Sequence, residues 1–433
     1  MTTRVTRRTL VKAAAGAVSV AVAHNARGYA ANEKIRLGLI GAGNRGSQLL
    51  GAFLRHADAE ILAVCDVYEP YIARARERIG PRAEGCRDFR KLLDRADLDA
   101  VVIATPDHWH AVQTIWACRA GKDVYVEKPL SITIHEGRRM VEAARQHRRV
   151  VQVGTHRRSS ALYARVAEWL AGGKIGKVTV GRAYRLSNMF PDGIGKQSVG
   201  PPPGDLDWDL WLGPRPERPY QANIAPYKFR WWDLYSSQMA NWGVHYLDAM
   251  RWLTGEEAPA SVAALGGRFA VDDDRTVPDT LEAVFEFASG RLAIFGQYEA
   301  SGNAVLPRGE VELRGTLGTL YIDPRRAEIV PERGGQFQSR EPRMEPVVEE
   351  NPVGEDDLTV AHARNFLDCV RSRELPKADV EIGHRSTTMS LLANLSLAVR
   401  QRLEWDARAE RILSPTSAND LLHYEYRKPW TLD

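Results

Sequence analysis

The tightest constraint on this chain is the stretch Lys34 to Gly46, KIRLGLIGAGNRG, an apolar run that breaks into glycines and then opens the helix-like SQLLGAFL. It reads as strand, tight turn, helix. Gly41, Gly43 and Gly46 fit G-x-G-x-x-G, in which the first glycine permits the turn, the second lets backbone approach a pyrophosphate, and the third lets helix pack on strand. Asn44 and Arg45 fall at the helix N-terminus, whose amides hold phosphates. A second apolar strand, EILAVCDV, carries Asp66, 20 residues after Gly46. A carboxylate there accepts hydrogen bonds from adenosine ribose hydroxyls and repels a 2′-phosphate, so the pattern calls for NAD rather than NADP.

At 433 residues the chain suits two domains. Its first thirty residues stand apart. TRRTLVK, Thr6 to Lys12, precedes the small apolar run AAAGAVSVAVA and then Gly28-Tyr29-Ala30, a small-x-Ala cleavage pattern. This is the pattern of a twin-arginine export signal, and its apolar run is about half the roughly 20 residues of a spanning helix. It holds Arg4, Arg7, Arg8, Lys12 and Arg27 and no acids, so removing these five charges takes the net +4 to −1. The basic balance belongs to the leader, and the mature chain calls for neither nucleic acid nor an anionic membrane. Cys65, Cys86, Cys118 and Cys369 are scattered without metal spacing and suggest no disulfide framework.

From Lys34 to about Val153 apolar strands alternate with helical segments: KIRLGLI, EILAVCDV, a charged helix from Pro70 to Ile79, DAVVIATP, HAVQTIWACRA ending at Gly121, DVYVEKP, HEGRRMVEAARQH and VVQVGT. That alternation specifies an α/β fold with a doubly wound parallel sheet, whose ligands bind beyond the carboxyl ends of the strands. Two such ends are chemically loaded: Thr105-Pro106-Asp107-His108-Trp109-His110, and Glu127-Lys128-Pro129. After Val153 the pattern turns to longer strands. VTVGRAYRLSN, ASVAALGGRFA, and the glycine-turned pairs TLEAVFEF-ASG-RLAIFGQYEA and EVELRG-TLG-TLYID read as an antiparallel sheet. The irregular stretch Pro191 to Trp232 is too long for an ordinary connection. Its Trp208, Trp211, Trp231 and Trp232 suit either stacking on sugar rings or pinning the loop to the core. Ser237 to Thr254 reads as a helix, a charged loop runs from Pro331 to Asp356, and helices VAHARNFLDCVRSR and HRSTTMSLLANLSLAVRQRL follow.

With TPDHWH followed by EKP at the next strand end, the chain resembles the glucose-fructose oxidoreductase and inositol dehydrogenase family, Gfo/Idh/MocA. The resemblance continues through DWDLWLGP (Asp207 to Pro214), ANWGVHYLD (Ala240 to Asp248) and the closing EYRKPW, and so covers nearly all of the mature chain. It implies a Rossmann domain, a second α+β domain on an open antiparallel sheet, bound nicotinamide, a sugar or cyclitol substrate, a cis Lys128-Pro129 peptide that aims the lysine inward, and a homo-oligomer. The corresponding boundaries are a signal at 1–30, the NAD-binding domain at 31–153, a substrate and oligomerisation domain at 154–403 whose helices after 356 pack back on the first domain, and a tail at 404–433. One departure matters. Asn241 and His245 share a helix face, where the family usually has Asp-x-x-x-His. An amide neither holds a proton nor orients an imidazolium as a carboxylate does.

Hydride transfer at a secondary alcohol needs a group to take or give the hydroxyl proton. A partly desolvated lysine beside a cationic nicotinamide has its pKa drawn toward neutrality, where general acid-base catalysis works best. That role falls to Lys128, with His245 as its partner or as an alternative base. Glu127 orients Lys128 or meets a ribose hydroxyl. Thr105, Pro106, His108 and His110 pack on the cofactor side; the two histidines have a metal-compatible spacing but no third ligand. Arg157 and Arg158 suit either substrate hydroxyls or a solvated basic pair. Substrate contacts are expected from Lys128, Arg157, Arg158, Trp232, Asn241 and His245.

An exported enzyme has no pool of free NAD, so the cofactor should travel tightly bound and be reoxidised in place. A non-dissociating sugar oxidoreductase of the periplasm follows. The rivals are a redox glycosidase that oxidises, eliminates, hydrates and reduces, and a sugar-binding relative without turnover, for which Asn241 is the argument.

Overall fold

The computed structural model describes residues 34–351 and 355–433. The export signal expected at residues 1–30 lies outside them. The first domain is a six-stranded parallel sheet of β1 (Ile35–Ile40), β2 (Ala59–Cys65), β3 (Glu84–Cys86), β4 (Ala100–Ile103), β5 (Asp123–Val126) and β6 (Val151–Val153), in the order β3-β2-β1-β4-β5-β6. The order reverses between β1 and β4, which opens the crevice where nucleotides bind in such sheets. Leu37, Val101, Val102 and Val124 are fully or almost fully buried, as strands covered by helices on both faces must be.

The glycine turn has the geometry its sequence demands. Gly41 has φ +87°, and a Cβ on it would lie 2.6 Å from the Ala104 backbone. A Cβ on Gly46 would lie 1.9 Å from the Gly41 carbonyl oxygen, so only glycine lets helix Asn44–Leu54 leave the strand this steeply. Helix Ile134–Gln146 starts on a capping box, the Thr133 hydroxyl accepting from the Glu136 amide while the Glu136 carboxylate accepts from the Thr133 amide.

The second domain is a ten-stranded sheet in the order β14-β13-β12-β11-β7-β10-β9-β8-β15-β16. Its strands are β7 (Val178–Leu186), β8 (Ser261–Gly267), β9 (Thr280–Glu286), β10 (Leu292–Tyr298), β11 (Val311–Gly315), β12 (Gly318–Ile322), β13 (Arg326–Pro331), β14 (Val347–Glu350), β15 (Leu403–Asp406) and β16 (Arg411–Ser414). The two glycine-turned pairs form the hairpins β9-β10 and β11-β12. The sheet is antiparallel except between β7 and β10, which run parallel because the long connection after β7 crosses over instead of turning back. The charged segment read as a loop contributes the edge strand β14. Helix Val244–Thr254 lies on the sheet, its Leu247 and Met250 buried with Phe285, Phe295 and Leu313.

Three late segments tie the domains together. Helix Glu355–Ser372 packs on helix Asn44–Leu54, with Phe366 edge-on to Phe53 and Arg364 paired with Asp58 at 2.7 Å. Helix Val380–Val399, buried over most of its surface, runs between helix Ile134–Gln146, β8 and helix Val244–Thr254. Within residues 404–433, β16 closes one end of the large sheet, and Trp430 enters the first domain's core beside Phe89, Trp109 and Trp116. The connection from Pro191 to Trp232 has a small core of its own, including Trp211, Ile224, Phe229 and Trp232, which Tyr235 just beyond it completes.

Candidate active site

A cavity of about 580 Å³ opens at the carboxyl ends of β1, β4 and β5 and is closed by the second domain. One end is lined by Gly41, Gly43, Asn44, Arg45 and Asp66, the other by Lys128, Asn241, Trp242 and His245. The glycine end fits a dinucleotide. A Cβ on Gly43 would sit 3.1 Å from the Tyr71 ring, which itself lines the cavity, so a side chain there would crowd the cavity wall. Asp66 accepts from the amides of Ala42 at 2.7 Å and Tyr68 at 2.9 Å, so its carboxylate both pins the glycine turn and lines the cavity. Burial pushes its pKa up to about 6, the three backbone amides around it only partly offsetting the cost.

Arg45 reaches from the helix start to Glu127 at 2.7 Å, locking the end of β5 to the glycine turn. Glu127 is buried, yet Arg45 and Lys128 hold its carboxyl below the usual range. Lys128 follows across a cis peptide to Pro129. Its Nζ donates to the Asn241 backbone carbonyl at 2.9 Å. Burial brings its pKa down to about 8, against the opposing charges of Glu127 and Asp107. Asn241 thus meets the lysine through its backbone, in a single π-helical turn, Met239–Gly243, that precedes helix Val244–Thr254. Such bulges occur often at functional sites. His245 is buried beside His156, their ring centroids 5.2 Å apart, and among the described residues its Nδ1 has no hydrogen-bond partner. Burial first, then the charges of Lys128 and Arg157, drive its pKa well down, so it is a neutral imidazole at pH 7.

Several expected contacts lie elsewhere. Arg157 forms a two-pronged pair with Glu310 and stacks over Tyr246. Arg158 forms another with buried Asp248 at 2.9 to 3.0 Å. Neither arginine lines the cavity. Both are internal ties, because a guanidinium buried to this depth must spend its donors on a carboxylate. Trp232 donates to the Asn223 carbonyl inside the loop's core, and its neighbour Trp231 faces the cavity instead. His108 bonds the Trp211 carbonyl at 2.9 Å and is held neutral by burial, its pKa down to about 3. His110 bridges the carbonyls of Thr105 and Pro129, coupling the ends of β4 and β5 from behind. Thr105 and Pro106 do line the cavity.

Sequence reasoning passed over Asp107, although it lies within the quoted TPDHWH. Asp107 is buried in the cavity wall, accepts from the Ser236 hydroxyl, and acts on Lys128. Its position at a loaded strand end was the available signal. Arg185 on β7 and Arg230 in the irregular connection also line the cavity, and nothing local in the sequence marked them; beside Arg230 lies Trp231, one of the four tryptophans suited to stacking on a sugar ring.

The architecture and this cavity can be set beside known proteins. The model of an oxidoreductase family, NAD-binding Rossmann fold, matches residues 35–155, and that of the same family's C-terminal alpha/beta domain matches residues 170–432. The chain belongs to the Gfo/Idh/MocA oxidoreductase family. Among curated members of Gfo/Idh/MocA, inositol 2-dehydrogenase 2 of Saccharopolyspora erythraea is 30% identical over 295 residues, 67% of this chain and 74% of that protein. A glycosyl hydrolase family 109 protein of the same organism is 36% identical over 129 residues, only 28% of either chain. Levoglucosan dehydrogenase in complex with NADH and L-sorbose shares the fold at TM-score 0.67 and 18% identity, over 86% of this chain and 99% of that one. The WlbA dehydrogenase of Bordetella pertussis, in complex with NADH and UDP-GlcNAcA, does so at TM-score 0.66 and 21% identity, over 87% and 99%.

Proposed function

We propose that this member of Gfo/Idh/MocA moves a hydride between a secondary alcohol of a sugar or cyclitol and a tightly held NAD. The observation that carries the reading is Lys128: a lysine with its pKa brought to about 8, beside a neutral histidine, in the cavity that begins at the glycine cradle. The relatives named as inositol 2-dehydrogenase and the folds seen with NADH agree with it. The cradle of Gly41, Gly43 and Arg45 holds the pyrophosphate and Asp66 the adenosine ribose, favouring NAD over NADP. When bound, nicotinamide supplies the carbon that accepts or returns the hydride. As the carbonyl forms, the substrate's hydroxyl proton passes to Nζ of Lys128, which the Asn241 carbonyl steers. Glu127 and Asp107 stabilise the ammonium so produced, Asp107 taking the part a carboxylate at position 241 would have had. His245 donates to or accepts from the neighbouring substrate hydroxyl without carrying charge.

The twin-arginine pattern at residues 1–30 supports export of the folded protein to the periplasm with its cofactor aboard, where reoxidation by a second carbonyl substrate closes the cycle. A homo-oligomer fits the same reading and is checked by light scattering. The decisive experiment is an absorbance and fluorescence spectrum of the purified mature protein before and after sugars and cyclitols are added. A bound-nicotinamide band that rises with one sugar and falls with a carbonyl acceptor is expected. Protein that releases its dinucleotide readily and works only with added NAD would overturn the closed cycle. The family 109 match favours a second reading, a redox glycosidase, but it spans 28% of that relative. Release of an aglycone from a chromogenic glycoside with no net NADH would establish it.

A further inference from the structure

Around the site the arginines are mostly spent: Arg45 on Glu127, Arg157 on Glu310, Arg158 on Asp248, and Arg275 on Asp273 and Glu299. Two that line the cavity are not. Arg185, from the end of β7, lays its guanidinium over the Trp242 ring at 3.7 Å, and among the described residues it has no carboxylate partner. Arg230 donates to the Tyr227 carbonyl at 3.2 Å and lies between the rings of Tyr227 and Phe229, also without a carboxylate among the described residues. The aromatic faces fix the planes of both groups and leave N–H edges free. Both belong to the lysine end. Trp242 adjoins His245, at 6.3 Å between centroids, and the charge of Arg230 is felt by Lys128 and Asp107.

Asp107 feels the charge of Arg230, but among the described residues no carboxylate forms an ion pair with either cation. Asp107 is engaged by Ser236 and faces Lys128. Glu299 is held by Arg275 and by Trp231 at 3.0 Å. A half-buried cavity with two unanswered guanidiniums is incomplete electrostatically, and a substrate carboxylate completes it. Resting on the oxidoreductase reading, we infer that the substrate is an acidic sugar, a hexuronate or related sugar acid, whose carboxylate is taken by Arg185 and Arg230 while a ring hydroxyl meets Lys128. A planar carboxylate suits the fork geometry of an arginine, each charge-assisted bond being worth roughly ten- to hundredfold in affinity.

The test is tryptophan fluorescence of the cofactor-loaded protein, since Trp231 and Trp242 line the cavity, titrated with D-galacturonate, D-glucuronate, D-galactose, D-glucose and glucose 6-phosphate, with bound-nicotinamide absorbance followed in parallel. A uronate should bind at least about tenfold tighter than its neutral counterpart. Arg185→Gln and Arg230→Gln should each bring that ratio toward one, with circular dichroism confirming that the variants fold. Equal affinity for uronate and neutral sugar would overturn the inference, as would tighter binding of glucose 6-phosphate than of either uronate. A neutral sugar that reduces the nicotinamide in those cases leaves the oxidoreductase reading standing. Tight uronate binding without any reduction has the opposite effect, keeping the carboxylate site and removing the hydride transfer.

Discussion

If Lys128 takes the alcohol proton, the reductive half-reaction must follow its titration. With a pKa of about 8, the lysine is neutral in about a tenth of molecules at pH 7 and in about nine-tenths at pH 9. Single-turnover reduction of the bound nicotinamide by saturating sugar should therefore speed up about tenfold between those values and level off above. Return of the hydride to a carbonyl should slow over the same range. The groups facing Nζ fix how the midpoint moves: Glu127 and Asp107 raise it, Arg230 and Arg45 lower it, and neutral His245 contributes no charge. Glu127→Gln and Asp107→Asn should thus each move the midpoint to lower pH. Lys128→Met should cost about 10² to 10⁴ in rate and abolish the profile. It also has a readout independent of chemistry. A lysine depressed from 10.5 to about 8 in the fold costs stability as pH falls from 10.5 to about 8, and the full cost persists below 8, so Lys128→Met should be more stable than the native protein at pH 7, the gap closing as pH rises from 8 toward 10.5. A midpoint near 10.5, or a profile that survives Lys128→Met, would refute the assignment.

Other consequences are equally direct. Arg158→Met leaves buried Asp248 with only the Ser386 hydroxyl and Arg251 at 4.0 Å and should cost about 2 to 4 kcal/mol in urea unfolding; a full loss of sugar binding with stability intact would return Arg158 to the substrate. Gly46→Ala brings a methyl against the Gly41 carbonyl and should destabilise by about 1 to 3 kcal/mol while emptying the protein of dinucleotide, as an absorbance spectrum will show. Asp66→Ser should weaken NAD binding about tenfold or more and narrow its margin over NADP, read by isothermal titration of the stripped protein.

What the sequence disclosed was whatever depends on local backbone chemistry. The glycine turn, the acid closing β2, the loaded ends of β4 and β5, and the hairpins of the second sheet all announce themselves within a dozen residues, because turn geometry and strand alternation are local properties. The parallel pairing of β7 with β10 is not local; it depends on a long excursion whose path only packing decides. The same holds for β14, whose alternation of half-buried and exposed residues is too weak to mark an edge strand.

The errors in the site have one physical origin. Arg157 and Arg158 lie just past the end of β6 and have the composition of a substrate clamp, yet their partners Glu310 and Asp248 arrive from distant segments and consume their donors. Arg185 and Arg230 carry no motif, yet among the described residues neither has a carboxylate partner, because aromatic rings pack against them instead. Proximity in sequence therefore says where a charge is, and only the fold says whether it has been spent. Asn241 is the same case turned around. Its amide replaces the family's acid, but the lysine leans on its backbone carbonyl, and negative charge comes from Glu127 just past β5 and from Asp107 in the turn that follows β4. A side chain lost from one element is replaced by another that the fold brings to the same lysine, so the site keeps its acid although the motif does not.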